Sequence, residues 1–130
     1  MLRKNAAYIS ILALSASLLA LPAFSATANM KLLDPDSDGT VSLAEAQAAG
    51  AKKFAELDPD RDGTLDAKEA GPVLTDFTSA DPDKDGTVDK AEYAAQIEAA
   101  FKKADPDNDG TLDAAELSSP AGQKLLGLIQ

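Results

Sequence analysis

The chain has 130 residues, 45% of them hydrophobic, and carries 22 Asp and Glu against 12 Lys and Arg, a formal charge of −10. A small body this acidic repels the phosphates of nucleic acid and of anionic membrane surfaces, which excludes both as partners. It has no Cys, His or Trp, so it offers no disulfide framework and none of the imidazole or thiolate ligands that zinc, copper and iron sites draw on.

The first element in chain order is a leader. Arg3 and Lys4 give a positive start, Ile9 to Leu21 is an apolar run too short to span a bilayer comfortably, and Pro22-Ala-Phe-Ser-Ala26-Thr-Ala28 supplies small residues for cleavage. This predicts a signal peptide over residues 1–25, with cleavage as late as 28, and a mature domain over 26–130 that is free of the membrane once cut. No acid lies in the leader, so its removal takes the formal charge to −12. The aromatic residues that remain are Phe54, Phe77, Tyr93 and Phe101, a thin core that bound metal would help to stabilise.

One twelve-residue sentence is then written four times, opening Asp34-Pro-Asp-Ser-Asp-Gly-Thr, Asp58-Pro-Asp-Arg-Asp-Gly-Thr, Asp81-Pro-Asp-Lys-Asp-Gly-Thr and Asp105-Pro-Asp-Asn-Asp-Gly-Thr. The copies close on Glu45, Glu69, Glu92 and Glu116. Each matches D-x-[DN]-x-[DN]-G-x5-E, the calcium-type EF-hand loop, in which carboxylates at positions 1, 3 and 5, a carbonyl at 7 and a bidentate Glu at 12 wrap one hard cation. Of the 22 acids, 19 stand at positions 1, 3, 5, 9 or 12, leaving Glu56, Asp76 and Glu98 outside. A merely solvated acidic face would fix neither Gly nor spacing, so the charge belongs to sites.

The loops start at 34, 58, 81 and 105, leaving 12, 11 and 12 residues from each closing Glu to the next Asp. Twelve residues make about three helical turns, roughly 18 Å, so adjacent loops are expected to share a helix. Ala46 to Leu57 and Tyr93 to Ala104 are rich in helix formers, and Tyr93, Ile97 and Phe101 form one apolar stripe at i, i+4 and i+8. Between loops 2 and 3, Gly71-Pro72 stops or kinks the helix and restarts it with Pro at an early position, a bend that brings together two halves of two loops each. Ser118-Ser119-Pro120 caps a closing helix over 121–129, with Leu125, Leu126 and Ile129 facing inward. The expected fold is all-α, a small helical bundle with four EF-hand-type loops at intervals of 23–24 residues.

Apolar residues recur at two fixed places. Met30, Phe54, Phe77 and Phe101 stand four residues before each opening Asp, and Val41, Leu65, Val88 and Leu112 occupy position 8, where paired loops form a short two-strand ladder. Gly39, Gly63, Gly86 and Gly110 fill position 6, where the chain turns sharply. Thr at position 7 is expected to offer its main-chain oxygen, leaving its side chain open to variation. Pro35, Pro59, Pro82 and Pro106 at position 2 hold each preceding Asp extended. Loops 2, 3 and 4 carry five carboxylates each, while loop 1 carries four because Ser42 replaces the acid at position 9. Near an effective dielectric of 20, one extra unit of ion charge about 4 Å from a carboxylate gains on the order of 4 kcal/mol before dehydration is subtracted, a sign that favours trivalent ions.

The DPDxDGT openings, the 23–24 residue period, the leader and the tail DPDNDGTLDAAELSSPAG resemble lanmodulin, a family of periplasmic lanthanide-binding proteins of methylotrophic bacteria. The resemblance implies a bundle with peripheral loops, loosely folded without metal and compact with lanthanide(III) ions of the La, Ce and Nd class, calcium being the weaker ligand. Carried over by position, the ligands are Asp34, Asp36, Asp38, Thr40 and Glu45; Asp58, Asp60, Asp62, Thr64, Asp66 and Glu69; Asp81, Asp83, Asp85, Thr87, Asp89 and Glu92; and Asp105, Asp107, Asp109, Thr111, Asp113 and Glu116. Ser42 departs from the pattern, which makes loop 1 the expected weakest site for trivalent ions. The implied setting is the periplasm, with a lanthanide-dependent dehydrogenase or an uptake component as partner, and a monomer or metal-dependent dimer as the assembly. The alternative reading is a calcium sensor or buffer of the envelope; a third is a docking module made rigid by calcium. An enzyme is not expected, since the clustered acids are all used as ligands.

Overall fold

The computed structural model of the protein describes residues 30–130; the leader read from the sequence lies outside the described residues. Residues 30–33 are helical and lead into loop 1. Then come β1 (Val41–Ser42), α1 (Leu43–Leu57), β2 (Thr64–Asp66), α2 (Ala67–Ala70), α3 (Phe77–Ala80), β3 (Thr87–Asp89), α4 (Lys90–Ala104), β4 (Thr111–Leu112), α5 (Ala114–Ser118) and α6 (Pro120–Ile129). Among the described residues no helix is long and apolar enough to cross a membrane.

As the spacing predicts, α1 runs unbroken from loop 1 to loop 2 and α4 from loop 3 to loop 4, each 15 residues long. Both end the same way: the N–H of the next loop's first Asp donates to the carbonyl four residues back, Asp58 to Phe54 and Asp105 to Phe101, each at 3.0 Å. Asp34 to Met30 at 2.8 Å and Asp81 to Phe77 at 3.1 Å repeat it. The apolar residue four places before each loop thus sits where the helix hands over to the site.

Loops 2 and 3 share no continuous helix. The Gly71-Pro72 step stops α2 after one turn, as expected, but the restart does not use Pro72. It comes at Phe77, where the Asp76 side chain accepts from the Ser79 N–H at 3.2 Å and from its hydroxyl at 2.6 Å, a local N-cap that fixes the start. The other two acids outside the loops also have local partners: Lys53 with Glu56 at 3.5 Å and Lys102 with Glu98 at 2.6 Å, surface pairs of small energetic weight.

The bend folds the chain back so that loops pair across it. β1 pairs antiparallel with β4, placing Val41 opposite Leu112, and β2 with β3, placing Leu65 opposite Val88. Loop 1 therefore meets loop 4 and loop 2 meets loop 3, a register set by tertiary closure and not by order in the sequence. All four position-8 side chains have zero exposure. They make up four of the nine largest fully buried side chains, so nearly half of the core's anchors belong to the loops.

Between the ladders, α4 packs against α1 and α6, and α1 against α6. Tyr93, Ile97 and Phe101 are buried, as the stripe predicts. Phe54 and Tyr93 meet edge to face with centroids 5.5 Å apart, and the Tyr93 hydroxyl donates to the Leu128 carbonyl at 2.5 Å, tying three helices at one point. Burial pushes the Tyr93 phenol up to about 12. The closing helix starts one residue earlier than expected, with Pro120 in its first turn and Ser119 Oγ accepting from the Gly122 N–H at 3.0 Å. Leu125, Leu126 and Ile129 are buried, and Leu128 joins them.

Gly122 sits where α6 crosses the end of α5. A Cβ there would press into the Glu116 carbonyl oxygen and lie 2.5 Å from Leu117 Cα, backbone atoms that cannot rotate away, whereas one at Gly127 meets nothing within 4 Å. Gly122→Ala is predicted to destabilise the metal-loaded protein by about 1–3 kcal/mol in urea unfolding. Gly127→Ala is predicted to leave stability unchanged or raise it by about 0.4–1 kcal/mol.

Candidate metal centres

Each loop is organised around its first Asp, which is buried while most of the loop is exposed. In loop 1, Asp34 Oδ1 accepts from the Asp38 N–H at 3.1 Å and Oδ2 from the Gly39 N–H at 2.9 Å. The same pair of bonds recurs from Asp58, Asp81 and Asp105, at 3.0 to 3.2 Å. Two left-handed residues make this possible. Position 6 has φ between 87° and 90° and is always Gly, as the sequence predicts. Position 4 is also left-handed, with φ of 57° to 62° at Ser37, Arg61, Lys84 and Asn108, a strain the sequence reading missed. Asn108 is the residue type that tolerates it; Arg61 and Lys84 carry no such signal.

The residue before the proline leaves the helical region but stops short of the extended backbone expected: Asp58, Asp81 and Asp105 have φ of −105° to −116° and ψ of 73° to 80°, since the N–H of each still closes the preceding helix. The position-7 side chain, by contrast, is not idle. Thr40, Thr64, Thr87 and Thr111 each donate both N–H and hydroxyl to Oδ1 of the position-5 Asp, all at 2.8 Å. The recurrence of Thr in all four copies was the available signal.

Carboxylate oxygens converge in every loop. Asp34, Asp36 and Glu45 bring one oxygen each within 4.8 Å of one another, as do Asp105, Asp107 and Glu116; in loops 2 and 3 the groups are Asp58, Asp60 and Asp62, and Asp81, Asp83 and Asp85. Such oxygen-only groups suit a hard cation and nothing softer. Glu45 adds a direct sign: its Oε1 is buried with no hydrogen-bond partner, a cost a bound cation would remove.

Position 9 has a second task. Asp66 accepts from the Lys68 and Glu69 N–H groups, Asp89 from Glu92, and Asp113 from Ala115 and Glu116, while Glu69, Glu92 and Glu116 accept in return from the position-9 N–H at 2.9 to 3.0 Å. These are capping boxes, and Ser42 with Glu45 makes the same one in loop 1. The pattern of a capping residue followed three places later by Glu was present in the sequence and points to this role.

Crowding shifts the acids in opposite directions. Burial pushes Asp34 up, but donors from Gly39, Asp36, Asp38 and Ser37 outweigh it and hold the carboxyl below the usual 3.8. Its neighbour Asp36 is raised, chiefly by the hydrogen bond the two carboxyls share. Asp81 is lowered like Asp34. For Asp83 and Asp107 the largest influence is a lowering N–H bond, from Asp85 and Asp109, yet shared hydrogen bonds, burial and adjacent negative charge prevail and raise both. The hydroxyl and N–H of Thr64 lower Asp62.

Residues 97–119, spanning the second half of α4, the whole of loop 4 and α5, match the family model described as EF hand. No curated protein matches the chain. With the same letters and the same geometry in the other three copies, the chain carries EF-hand metal-binding loops.

The position-3 carboxyls give a pH dependence. The folded values of Asp36, Asp83 and Asp107 are raised, so their contribution to metal-free closure is complete below the unfolded value and lost as pH rises through the raised one. Asp34, Asp62 and Asp81 work in reverse, contributing above 3.8 and losing that contribution as pH falls through their lowered values. Helicity of the metal-stripped protein is predicted to rise as pH falls from neutral through the raised values of Asp36, Asp83 and Asp107, and to decline in stronger acid as the lowered carboxyls protonate. Far-UV circular dichroism checks this; a steady loss of helix from neutral pH downward contradicts it.

Proposed function

We propose that this is a non-catalytic, periplasmic metal-binding protein of the lanmodulin type, which folds around lanthanide ions in preference to calcium and serves their uptake or supply. The observation that carries the reading is the convergence of three carboxylate oxygens in each of four loops, with the Glu45 Oε1 buried and lacking a partner. Each ion gains Coulomb energy in proportion to its charge at every one of these oxygens. Proline at position 2 of all four loops, which an ordinary calcium loop does not need, supports the finer identification, as does the leader read from the sequence.

Coupling of metal to folding follows from the buried position-8 side chains. Val41, Leu65, Val88 and Leu112 reach the core only when their loops are closed, and closing an empty loop crowds its anions. A protein that receives the ion, such as a lanthanide-dependent dehydrogenase or an uptake component, belongs to the same proposal. With the loop acids used as ligands and no His or Cys in the sequence, no acid-base or nucleophilic set remains for catalysis.

Calcium binding is the second reading, and one observation favours it. The position-9 acids that raised the anion count of loops 2 to 4 are hydrogen-bonded to helix N-termini, which leaves ligand sets close to those of ordinary calcium loops. Parallel titrations with lanthanum and calcium, followed by circular dichroism, separate the two. The lanthanide reading predicts full helicity at lanthanum concentrations lower than calcium by on the order of a hundredfold or more. Equal midpoints leave calcium as the cargo.

Linkage gives a further prediction. Leu65→Ala removes no ligand, yet it is predicted to cost about 2–5 kcal/mol in the metal-loaded fold and to weaken lanthanum binding in isothermal calorimetry.

A further inference from the structure

Loops that pair are alike, and the two pairs differ. Loops 1 and 4, joined through β1 and β4, hold nine carboxylates and no Lys or Arg between them, net −9. Loops 2 and 3, joined through β2 and β3, hold ten carboxylates with Arg61, Lys68, Lys84 and Lys90, net −6. All four of these cations are exposed, and two stand at position 4, where the other pair has Ser37 and Asn108. The closing Glu follows the same division. Glu45 and Glu116 already have an oxygen within 4.8 Å of the first two Asp of their loops, whereas in loops 2 and 3 the group of that size consists of the three Asp.

We propose that the pairs are two classes of site: loops 1 and 4 take metal first, and Arg61, Lys68, Lys84 and Lys90 hold loops 2 and 3 back as a second, weaker reserve. The proposal rests on the metal-binding reading above. A unit positive charge about 10 Å from a trivalent ion lowers its affinity about twofold at 0.1 M salt, so two such charges per loop separate the classes by about fourfold or more. A Glu already beside the first two Asp adds to the difference, because less rearrangement stands between the empty and the filled loop. The departure at Ser42 does not make loop 1 the weak member. Its hydroxyl caps α1 as the position-9 acids cap their helices, so the missing carboxylate is one the other loops use for the same purpose.

Each loop has its own reporter in the position-6 glycine amide: Gly39, Gly63, Gly86 and Gly110. Lanthanum chloride titrated into the 15N-labelled protein is expected to move Gly39 and Gly110 ahead of Gly63 and Gly86 throughout, a fourfold gap leaving the first pair about two-thirds bound and the second about one-third at two equivalents. Replacing Arg61→Ser together with Lys84→Asn gives loops 2 and 3 the residues found at that place in loops 1 and 4, and is expected to narrow the gap about twofold. Movement of Gly63 and Gly86 first, movement of all four together, or a gap unchanged by the double substitution overturns the proposal. If none of the four glycines responds, the metal-binding reading itself is overturned and this inference falls with it.

Discussion

The structure depends on a contact between loops. Val41 against Leu112 and Leu65 against Val88 are the points where the four loops enter the core, and each lies between acids that repel one another. Burying one such side chain stabilises the fold by roughly 1.5–3 kcal/mol, and in the same closed loops three carboxylate oxygens lie within 4.8 Å of one another, from positions 1, 3 and 12 in loops 1 and 4 and from positions 1, 3 and 5 in loops 2 and 3. Part of that repulsion is offset internally, by the N–H donors to the first Asp of each loop. On the proposed reading, a cation held by the same oxygens supplies the remaining attraction. Under that proposal, ion capture and core formation are one event.

The helices serve that event. Because α1 and α4 each run from one loop directly into the next, the end of one site is rigidly tied to the start of another. Each is capped at its start by position 9 and closed at its end by the first Asp of the following loop. The break at Gly71-Pro72 is equally necessary, since a continuous helix there would keep loop 2 from turning back onto loop 3. Tyr93, touching Phe54 and bonded to Leu128, holds the three longer helices in the arrangement that the ladders require.

Much of this was legible in the sequence because it is local. Gly at position 6, the apolar residue at position 8 and the Ser119-Pro120 start of α6 each follow from the conformational limits of one or two residues. The helix restart at Asp76 was misread because Pro72 offered a competing signal, and the side chain of Asp76 proved the stronger one. Which loop pairs with which was not legible, since four nearly identical copies encode no preference and the answer lies in how far the Gly71-Pro72 bend carries the chain. The left-handed Arg61 and Lys84 were hidden for a related reason: the surrounding hydrogen bonds to the first Asp impose that conformation on residues with no intrinsic taste for it. The role of position 9 in capping was present in the letters, but a ligand reading of the same acids masked it.

The most direct test of the account is the radius of gyration by small-angle X-ray scattering, measured on the protein in excess chelator and again with four equivalents of lanthanum. The account predicts a compact particle near 13 Å with metal and a markedly larger one without it, tending towards the roughly 30 Å of an unfolded chain of about 100 residues. The same compact radius in both conditions would contradict it, because the core would then have formed without any ion to draw the loops closed.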